Sequence, residues 1–150
     1  GIWAHSNGGQ IALSVLETTG YSMPTVLWAP MTNPFPQSVL DTASGLDDGG
    51  RTVIAAIEEF ETKYDSRRYA FENYYEWVNG PVVIHQGTAD EWCEVAWQEV
   101  VRDGLLVAGK EVKLYVYPGD DHNLSKNWEE VVEKDKEFYW VRLKQVPEHY

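Results

Sequence analysis

Short apolar segments alternate with longer amphipathic segments along most of this chain. The apolar segments have the length and composition of buried strands, and they are residues 24–31, 81–85 and 112–117. The amphipathic segments predict helices over residues 8–19, 51–64, 92–108 and 125–144. Strands that alternate with helices of this length predict an α/β fold, in which a mostly parallel sheet is flanked by helices.

Particular residues mark the ends and the inner faces of these helices. Gly20 suits the C-terminal end of the first helix, and Ser125 is the predicted N-cap of the last one. The periodicity predicts that Val100 and Trp128 face the core.

The segment 32–79 is long for a connection within a compact domain and predicts an insertion or a lid. Residues 32–50 are rich in Pro, Ser, Asp and Gly, with a strong turn signal at residues 47–50. Residues 65–79 match neither the periodicity of a helix nor that of a strand. The aromatic side chains of this segment could cover a site or pack on the sheet, and packing is the favoured prediction. They are Tyr64, Tyr69, Phe71, Tyr74, Tyr75 and Trp77.

Charge and composition exclude several classes of partner. The 150 residues carry 12 basic and 24 acidic side chains, so the net charge is −12. Such a surface repels the phosphate backbone of nucleic acids and anionic membrane surfaces. No segment approaches the ~20 apolar residues that a membrane span needs. The single cysteine, Cys93, excludes an internal disulfide and favours the cytosol.

The sequence is expected to be the C-terminal portion of one larger domain. Three predicted strands are fewer than the about 5–6 of an average sheet. The chain also begins at Gly1-Ile2-Trp3 without an initiator Met. We therefore expect that an upstream half of the domain is missing from these 150 residues.

The first candidate for chemistry is Ser6, in the segment AHSNGG directly before the first helix. A sharp turn from a strand into a helix can project a serine hydroxyl, provided that the residues two before and two after it are small. Ala4 and Gly8 meet this condition, and Gly9 adds room for close packing. The backbone N–H of Asn7 could then stabilise an oxyanion. The alternative is an ordinary helix start that contains glycine.

Two further candidates follow strands. Asp90 lies after the strand 81–85 and could be an acidic site residue or a helix cap. His122 lies after the strand 112–117 and could be a general base, a surface histidine or part of a weak metal site. The order Ser6, Asp90, His122 is that of α/β-hydrolases, and each residue is expected at the same edge of the sheet.

These stretches resemble the catalytic domain of the prolyl oligopeptidase family of serine peptidases, which has the α/β-hydrolase fold. The stretches that carry the resemblance are GIWAHSNGG, VVIHQGTAD and KLYVYPGDDHNL, each followed by a helix. The resemblance implies that Ser6 is the nucleophile, Asp90 the acid and His122 the base of a catalytic triad. It also implies an upstream half that supplies the second oxyanion donor, and a propeller domain can precede the hydrolase in this family.

Several residues near the motifs depart from the family pattern or have no assigned role. Ala4 stands where glycine is usual, and Glu91-Trp92-Cys93-Glu94 replaces the apolar-Pro pair that commonly follows the acid. Trp92 could line a substrate pocket or pack against the following helix. His85 is predicted to be a buried core residue with satisfied hydrogen bonds, Cys93 an ordinary thiol, and His5 receives no role.

The sequence therefore predicts a serine hydrolase that cleaves peptide or acyl-peptide bonds through an acyl-enzyme. The alternatives are a carboxylesterase on the same fold and a non-catalytic hydrolase-like binding module. No phosphate-binding loop, dinucleotide fingerprint or metal-ligand spacing is present, so no cofactor and no metal are predicted.

Overall fold

The computed structural model describes residues 1–144. Its four strands form one entirely parallel sheet in the order β1-β2-β3-β4. The strands are β1 (Ile2–His5), β2 (Thr25–Trp28), β3 (Val82–Gly87) and β4 (Val112–Tyr117). The predicted α/β class is confirmed, and the sheet has one strand more than the sequence patterns indicated, because β1 has only four residues.

Five α-helices connect or follow the strands within residues 1–144. They are α1 (Gly8–Thr19), α2 (Gln37–Ala43), α3 (Arg51–Glu61), α4 (Val95–Val107) and α5 (Trp128–Leu143). Two 3₁₀ segments, Ser66–Tyr69 and Phe71–Trp77, occupy the region that matched neither period. Over the described residues, no helix has the length and apolar character that crossing a membrane requires.

Helices cover both faces of the sheet. On one face, α1, α4 and the segment 71–77 pack on alternate strand residues such as Leu27 and Ile84. On the other face, α5 packs on Val26 and Val83, the residues that alternate with them. Every residue of β2 and β3 is buried, as expected for the central strands of a parallel sheet.

Two predicted core residues and one predicted cap are wrong. Val100 is 62% exposed, because the inner stripe of α4 runs through Gln98, Val101 and Leu105. Trp128 is 53% exposed, because it is the first residue of α5, where its ring makes a T-shaped contact with the Trp28 ring at a centroid distance of 5.0 Å. The N-cap of α5 is Asn127 rather than Ser125.

Some aromatic side chains of the segment 32–79 pack into the core. Phe71 and Tyr75 are buried against α1 and α4. Gly104 allows this contact, because a Cβ atom there would lie 2.4 Å from the Tyr75 ring. Tyr64, Tyr69 and Trp77 are exposed. Packing, the favoured prediction, therefore accounts for two of the six aromatic residues.

His85 is a buried core residue, as predicted, but within the described residues only one of its ring nitrogens makes a hydrogen bond. Its Nδ1 lies 2.8 Å from the Tyr117 hydroxyl, whereas its Nε2 lies 2.9 Å from Asp135 Oδ1 without the geometry of a hydrogen bond. Asp135 accepts a hydrogen bond from Trp28 Nε1 at 2.7 Å. These contacts connect β2 and β3 to α5, the helix that follows the His122 loop in sequence.

Glu17 introduces a buried carboxyl group beneath α1. Its side chain is buried, and its Oε1 has no hydrogen-bond partner among residues 1–144. Burial raises its pKa from 4.5 to about 8. Between these two values the unfolded chain ionises Glu17 while the folded protein keeps it protonated. The contribution of Glu17 to the free energy of unfolding is therefore highest below pH 4.5 and is lost as the pH rises through 8.

We expect Glu17→Gln to stabilise the protein at pH 8 and to leave its stability at pH 4 unchanged, because glutamine mimics the protonated acid. The gain at pH 8 is on the order of 1 kcal/mol, a value that discounts the pKa shift for solvent screening. Thermal unfolding of both proteins across this pH range measures the effect. Glu58→Gln is the control, since Glu58 is exposed on α3. Equal gains at both pH values would contradict the assignment.

Candidate active site

Ser6 lies in a sharp turn between β1 and α1. Its φ is +55°, a left-handed conformation that is strained for a residue with a side chain. Its backbone N–H donates to Trp28 O at 3.0 Å, and its carbonyl accepts from Met31 N at 2.8 Å. These two hydrogen bonds to the end of β2 and the loop after it hold the conformation of Ser6 in place. A strained serine in a turn of this kind is typical of nucleophiles.

Small residues make the turn possible. A Cβ atom at Gly8 would lie 3.4 Å from the Ala4 Cβ, so these two positions face each other across the turn. A Cβ atom at Gly9 would lie 2.3 Å from Pro30 Cβ, so only glycine permits this approach of α1 to the loop after β2. The crowding inferred from the sequence is therefore present at Gly9, whereas a Cβ atom at Gly8 would make an ordinary van der Waals contact with Ala4.

Asn7 follows Ser6 at the N-terminus of α1. Within residues 1–144, its backbone N–H makes no hydrogen bond, and the residue is exposed. An unpaired N–H at a helix N-terminus favours negative charge nearby. This geometry is compatible with one donor of an oxyanion hole.

Asp90 lies in the loop after β3, and four donors surround its carboxylate. Oδ1 accepts hydrogen bonds from the backbone N–H groups of Trp92 and Cys93, at 2.8 and 3.0 Å. Oδ2 accepts from Gln86 Nε2 at 2.8 Å and contacts His122 Nδ1 at 2.8 Å. Burial raises the pKa of Asp90, but these hydrogen bonds outweigh it and hold the pKa below its usual range. Asp90 is therefore ionised at neutral pH.

His122 lies in the loop after β4, at the same edge of the sheet as Asp90. Because Asp90 is ionised and can only accept, the neutral ring carries its proton on Nδ1. The lone pair on Nε2 is then available to take a proton from another group. The side chain of His122 is 18% exposed, so a substrate can reach it.

Asp120 organises the His122 loop, and the sequence analysis did not single it out. Its buried carboxylate accepts hydrogen bonds from the backbone N–H groups of Asp121, Lys126 and Asn127 and from the Asn127 side chain, at 2.8–3.1 Å. Burial raises the pKa of Asp120, whereas these bonds lower it, with a net decrease. Its carbonyl accepts from Ala89 N at 2.8 Å and thus links the two loops. The sequence feature that could have indicated this role is the pair of acids, Asp120 and Asp121, directly before His122.

His5 and Gln86 are two further residues that the sequence analysis left without a role. His5 Nε2 lies 3.0 Å from the carbonyl of His122, so it must donate, and the two rings are 4.7 Å apart. Gln86 is fully buried, and its Nε2 also donates to Cys93 O at 2.9 Å. His5 therefore supports the His122 backbone, and Gln86 supports the Asp90 loop.

The structure thus brings Asp90 and His122 into direct contact and places Ser6 next to a residue that touches His122. Within residues 1–144, the Ser6 side chain makes no hydrogen bond to His122; the connection runs through His5. The site therefore combines the Ser6 hydroxyl, at the edge of the sheet, with the His122 imidazole, whose tautomer is fixed by the Asp90 carboxylate.

Trp92 and Cys93 follow the acid. The Trp92 side chain is 67% exposed, so packing against the following helix does not bury it. The Cys93 thiol is buried, and burial together with the nearby Asp90 charge raises its pKa to about 12. Cys93 is therefore protonated at neutral pH and is not a thiolate nucleophile.

Several solved structures have a similar arrangement of strands and helices. An acylaminoacyl peptidase from Pyrococcus horikoshii aligns with 99% of this chain at a TM-score of 0.71 and 16% identity. A puromycin hydrolase aligns with 80% of it at a TM-score of 0.59 and 23% identity. An esterase from Thermogutta terrifontis aligns with 99% of it at a TM-score of 0.64 and 14% identity.

The chain has the α/β-hydrolase fold. The predicted resemblance to prolyl oligopeptidase-type peptidases is confirmed at the level of this fold. The chain spans 25% of the length of the peptidase, 18% of the puromycin hydrolase and 58% of the esterase. No protein-family model matches the sequence, and neither does any curated protein.

Proposed function

We propose that this chain carries the catalytic residues of a serine hydrolase, with Ser6 as nucleophile, His122 as general base and Asp90 as the acid that orients it. The contact of 2.8 Å between His122 Nδ1 and Asp90 Oδ2 is the observation that carries the proposal. Two loops that are 32 residues apart in sequence converge to make it. The strained Ser6 turn after β1, at the same edge of the sheet, supports the nucleophile.

The proposed reaction follows from the chemistry of these groups. Ser6 Oγ attacks a carbonyl carbon while His122 Nε2 accepts the hydroxyl proton. Asp90 stabilises the imidazolium that forms, and the Asn7 N–H stabilises the oxyanion. His122 then protonates the leaving group, which leaves an acyl group on Ser6. Water, deprotonated by His122, hydrolyses this acyl-enzyme.

Peptide or acyl-peptide bonds are the proposed substrates. The motifs that resemble the prolyl oligopeptidase family and the structural similarity to an acylaminoacyl peptidase and a puromycin hydrolase support this choice. The similarity to the Thermogutta esterase supports carboxylic esters as the second candidate. The two differ in the leaving group, since an amine must be protonated as it departs whereas an alcohol needs less assistance.

A fluorophosphonate probe tests the proposed nucleophile, because it reacts with serines that a base activates. We expect the probe to label Ser6 in the full-length protein, and Ser6→Ala to abolish the labelling. Mass spectrometry of the labelled peptide identifies the residue. Absence of labelling in a folded protein would favour a non-catalytic binding module instead.

Comparison of an aminoacyl anilide with a short-chain ester separates the two substrate classes. A peptidase is expected to cleave both, whereas an esterase is expected to cleave only the ester at a useful rate. The measurement is kcat/KM for each substrate with the full-length enzyme. In the labelling experiment, Ser14→Ala is the matched control for Ser6→Ala, since Ser14 lies on the exposed side of α1.

A further inference from the structure

The thiol of Cys93 lies beside the Asp90–His122 pair and takes no part in the proposed reaction. Its side chain is buried, and within the described residues its sulfur makes no hydrogen bond. One ligand atom each from Asp90, Cys93 and His122 lies within 4.8 Å of the other two. A buried thiol without a partner thus shares a small space with a carboxylate and an imidazole.

This set of donors matches the coordination chemistry of zinc. Zn²⁺ binds thiolate sulfur, imidazole nitrogen and carboxylate oxygen at about 2.0–2.3 Å in a tetrahedral arrangement. Such ligands lie about 3.3–3.7 Å from one another. The observed separations of up to 4.8 Å therefore need shifts of roughly 1 Å. Three protein ligands leave the fourth position for water.

We propose that Asp90, Cys93 and His122 form an inhibitory site for Zn²⁺ and similar thiophilic cations. This inference rests on the proposed function for its consequence, inhibition, but not for the binding itself. On binding, the S–H bond of Cys93 breaks, a sulfur–metal bond forms, and the proton passes to solvent. His122 binds the metal through Nδ1, so its ring proton moves to Nε2.

Inhibition follows from this change of tautomer. With a metal on Nδ1 and a proton on Nε2, His122 has no lone pair that could accept the Ser6 proton. Asp90 is at the same time withdrawn from the imidazole. The metal can reach the site because the His122 side chain is 18% exposed, although Asp90 and Cys93 are buried.

The experiment combines metal binding with kinetics on the full-length protein. Titration with Co²⁺ is expected to produce a thiolate-to-cobalt charge-transfer band in the near ultraviolet, at one metal per chain. Zn²⁺ is expected to remove this band by competition and to inhibit hydrolysis. Mg²⁺ prefers oxygen ligands and is expected to do neither, which separates this site from weak binding by the acidic surface.

Substitutions assign the ligands. Cys93→Ser and Cys93→Ala are expected to abolish the cobalt band and to raise the half-inhibitory concentration of Zn²⁺ at least about 100-fold, the upper end of the effect of removing an outer-shell partner. Inhibition is expressed relative to the metal-free rate of each variant, and thermal unfolding confirms that each variant is folded. His5→Asn is expected to leave the band intact.

The outcomes distinguish the site from the proposed function. A cobalt band that Cys93→Ser abolishes, in a protein that hydrolyses nothing, would support the metal site and refute the hydrolase. Hydrolysis that Zn²⁺ does not affect, without a cobalt band, would refute the metal site alone. Loss of inhibition in His5→Asn, but not in Cys93→Ser, would place the metal between the two imidazoles and overturn the proposal.

Discussion

Under the proposed mechanism, replacement of His122 by alanine in the full-length protein is expected to lower kcat by about 10⁶-fold, the loss seen when a triad histidine is removed. Ser6 is then left without a base, because within residues 1–144 Asp90 makes no hydrogen bond to Ser6 and its carboxylate remains bound by Gln86, Trp92 and Cys93. KM is expected to change little, since His122 acts on the reacting atoms rather than on binding. Labelling of Ser6 by a fluorophosphonate is expected to slow by a comparable factor. Steady-state kinetics and the labelling rate measure the two effects.

Asn123→Ala provides the matched control. Asn123 is exposed next to His122, and its side chain makes no hydrogen bond within residues 1–144. This substitution tests whether disturbance of the loop alone reduces activity, and we expect a change of less than about 3-fold, as for surface substitutions in general. If His122→Ala retained a tenth or more of the wild-type kcat, His122 would not be the general base.

The sequence sufficed to predict the elements whose periodicity is set locally. The first helix and β4 have the predicted limits, because Gly20 and Pro118 end the apolar patterns sharply. The helix α2 was not predicted, since its seven residues lie in a segment rich in turn formers. The strand β1 was not predicted either, because four residues contain too few positions to show an alternation.

Side-chain burial on the helices was less predictable than the helices themselves. The core stripe of α4 includes the polar Gln98, which bonds to the Pro30 carbonyl at 2.8 Å and to Thr32 at 2.9 Å. A sequence shows an amide there and cannot show that its partners lie 66 and 68 residues away. The apolar Val100 was therefore assigned inward in its place, and it is exposed.

The residues of the candidate site were likewise predictable only in part. The end motifs predicted that Ser6, Asp90 and His122 belong to one edge of the sheet, since parallel strands present their C-terminal ends together. His5 acts through a contact 117 residues away in sequence, which the sequence does not show. The side chains of Gln86 and Asp120 bond to groups within seven residues of the chain, but the sequence does not show which nearby groups they bind. The proposed metal ligands have no metal-binding spacing, because Cys93 and His122 are 29 residues apart and meet only through the fold.

Replacement of Asp90 by asparagine is expected to lower kcat by about 10⁴-fold with the fold intact. The two backbone N–H groups of Trp92 and Cys93 require an acceptor at Oδ1, so the amide oxygen must occupy that position. The amide NH₂ then takes the place of Oδ2 and faces His122 Nδ1. Because both groups would donate, His122 must move its proton to Nε2 and can no longer accept the proton of Ser6.

Gln86 determines whether this variant stays folded. Within the described residues its Oε1 is buried without a partner, so rotation of the Gln86 amide supplies an acceptor for the new NH₂ group, but the rotation removes the hydrogen bond from Nε2 to Cys93 O. We therefore expect the melting temperature of Asp90→Asn to lie moderately below that of the wild type and above that of Asp90→Ala. Asp90→Ala is the comparison, because it leaves the N–H groups of Trp92 and Cys93 unpaired and should lower both stability and kcat. A kcat of Asp90→Asn within 10-fold of the wild type would show that Asp90 does not fix the tautomer of His122, since the altered hydrogen-bond pattern would then have no effect on the base.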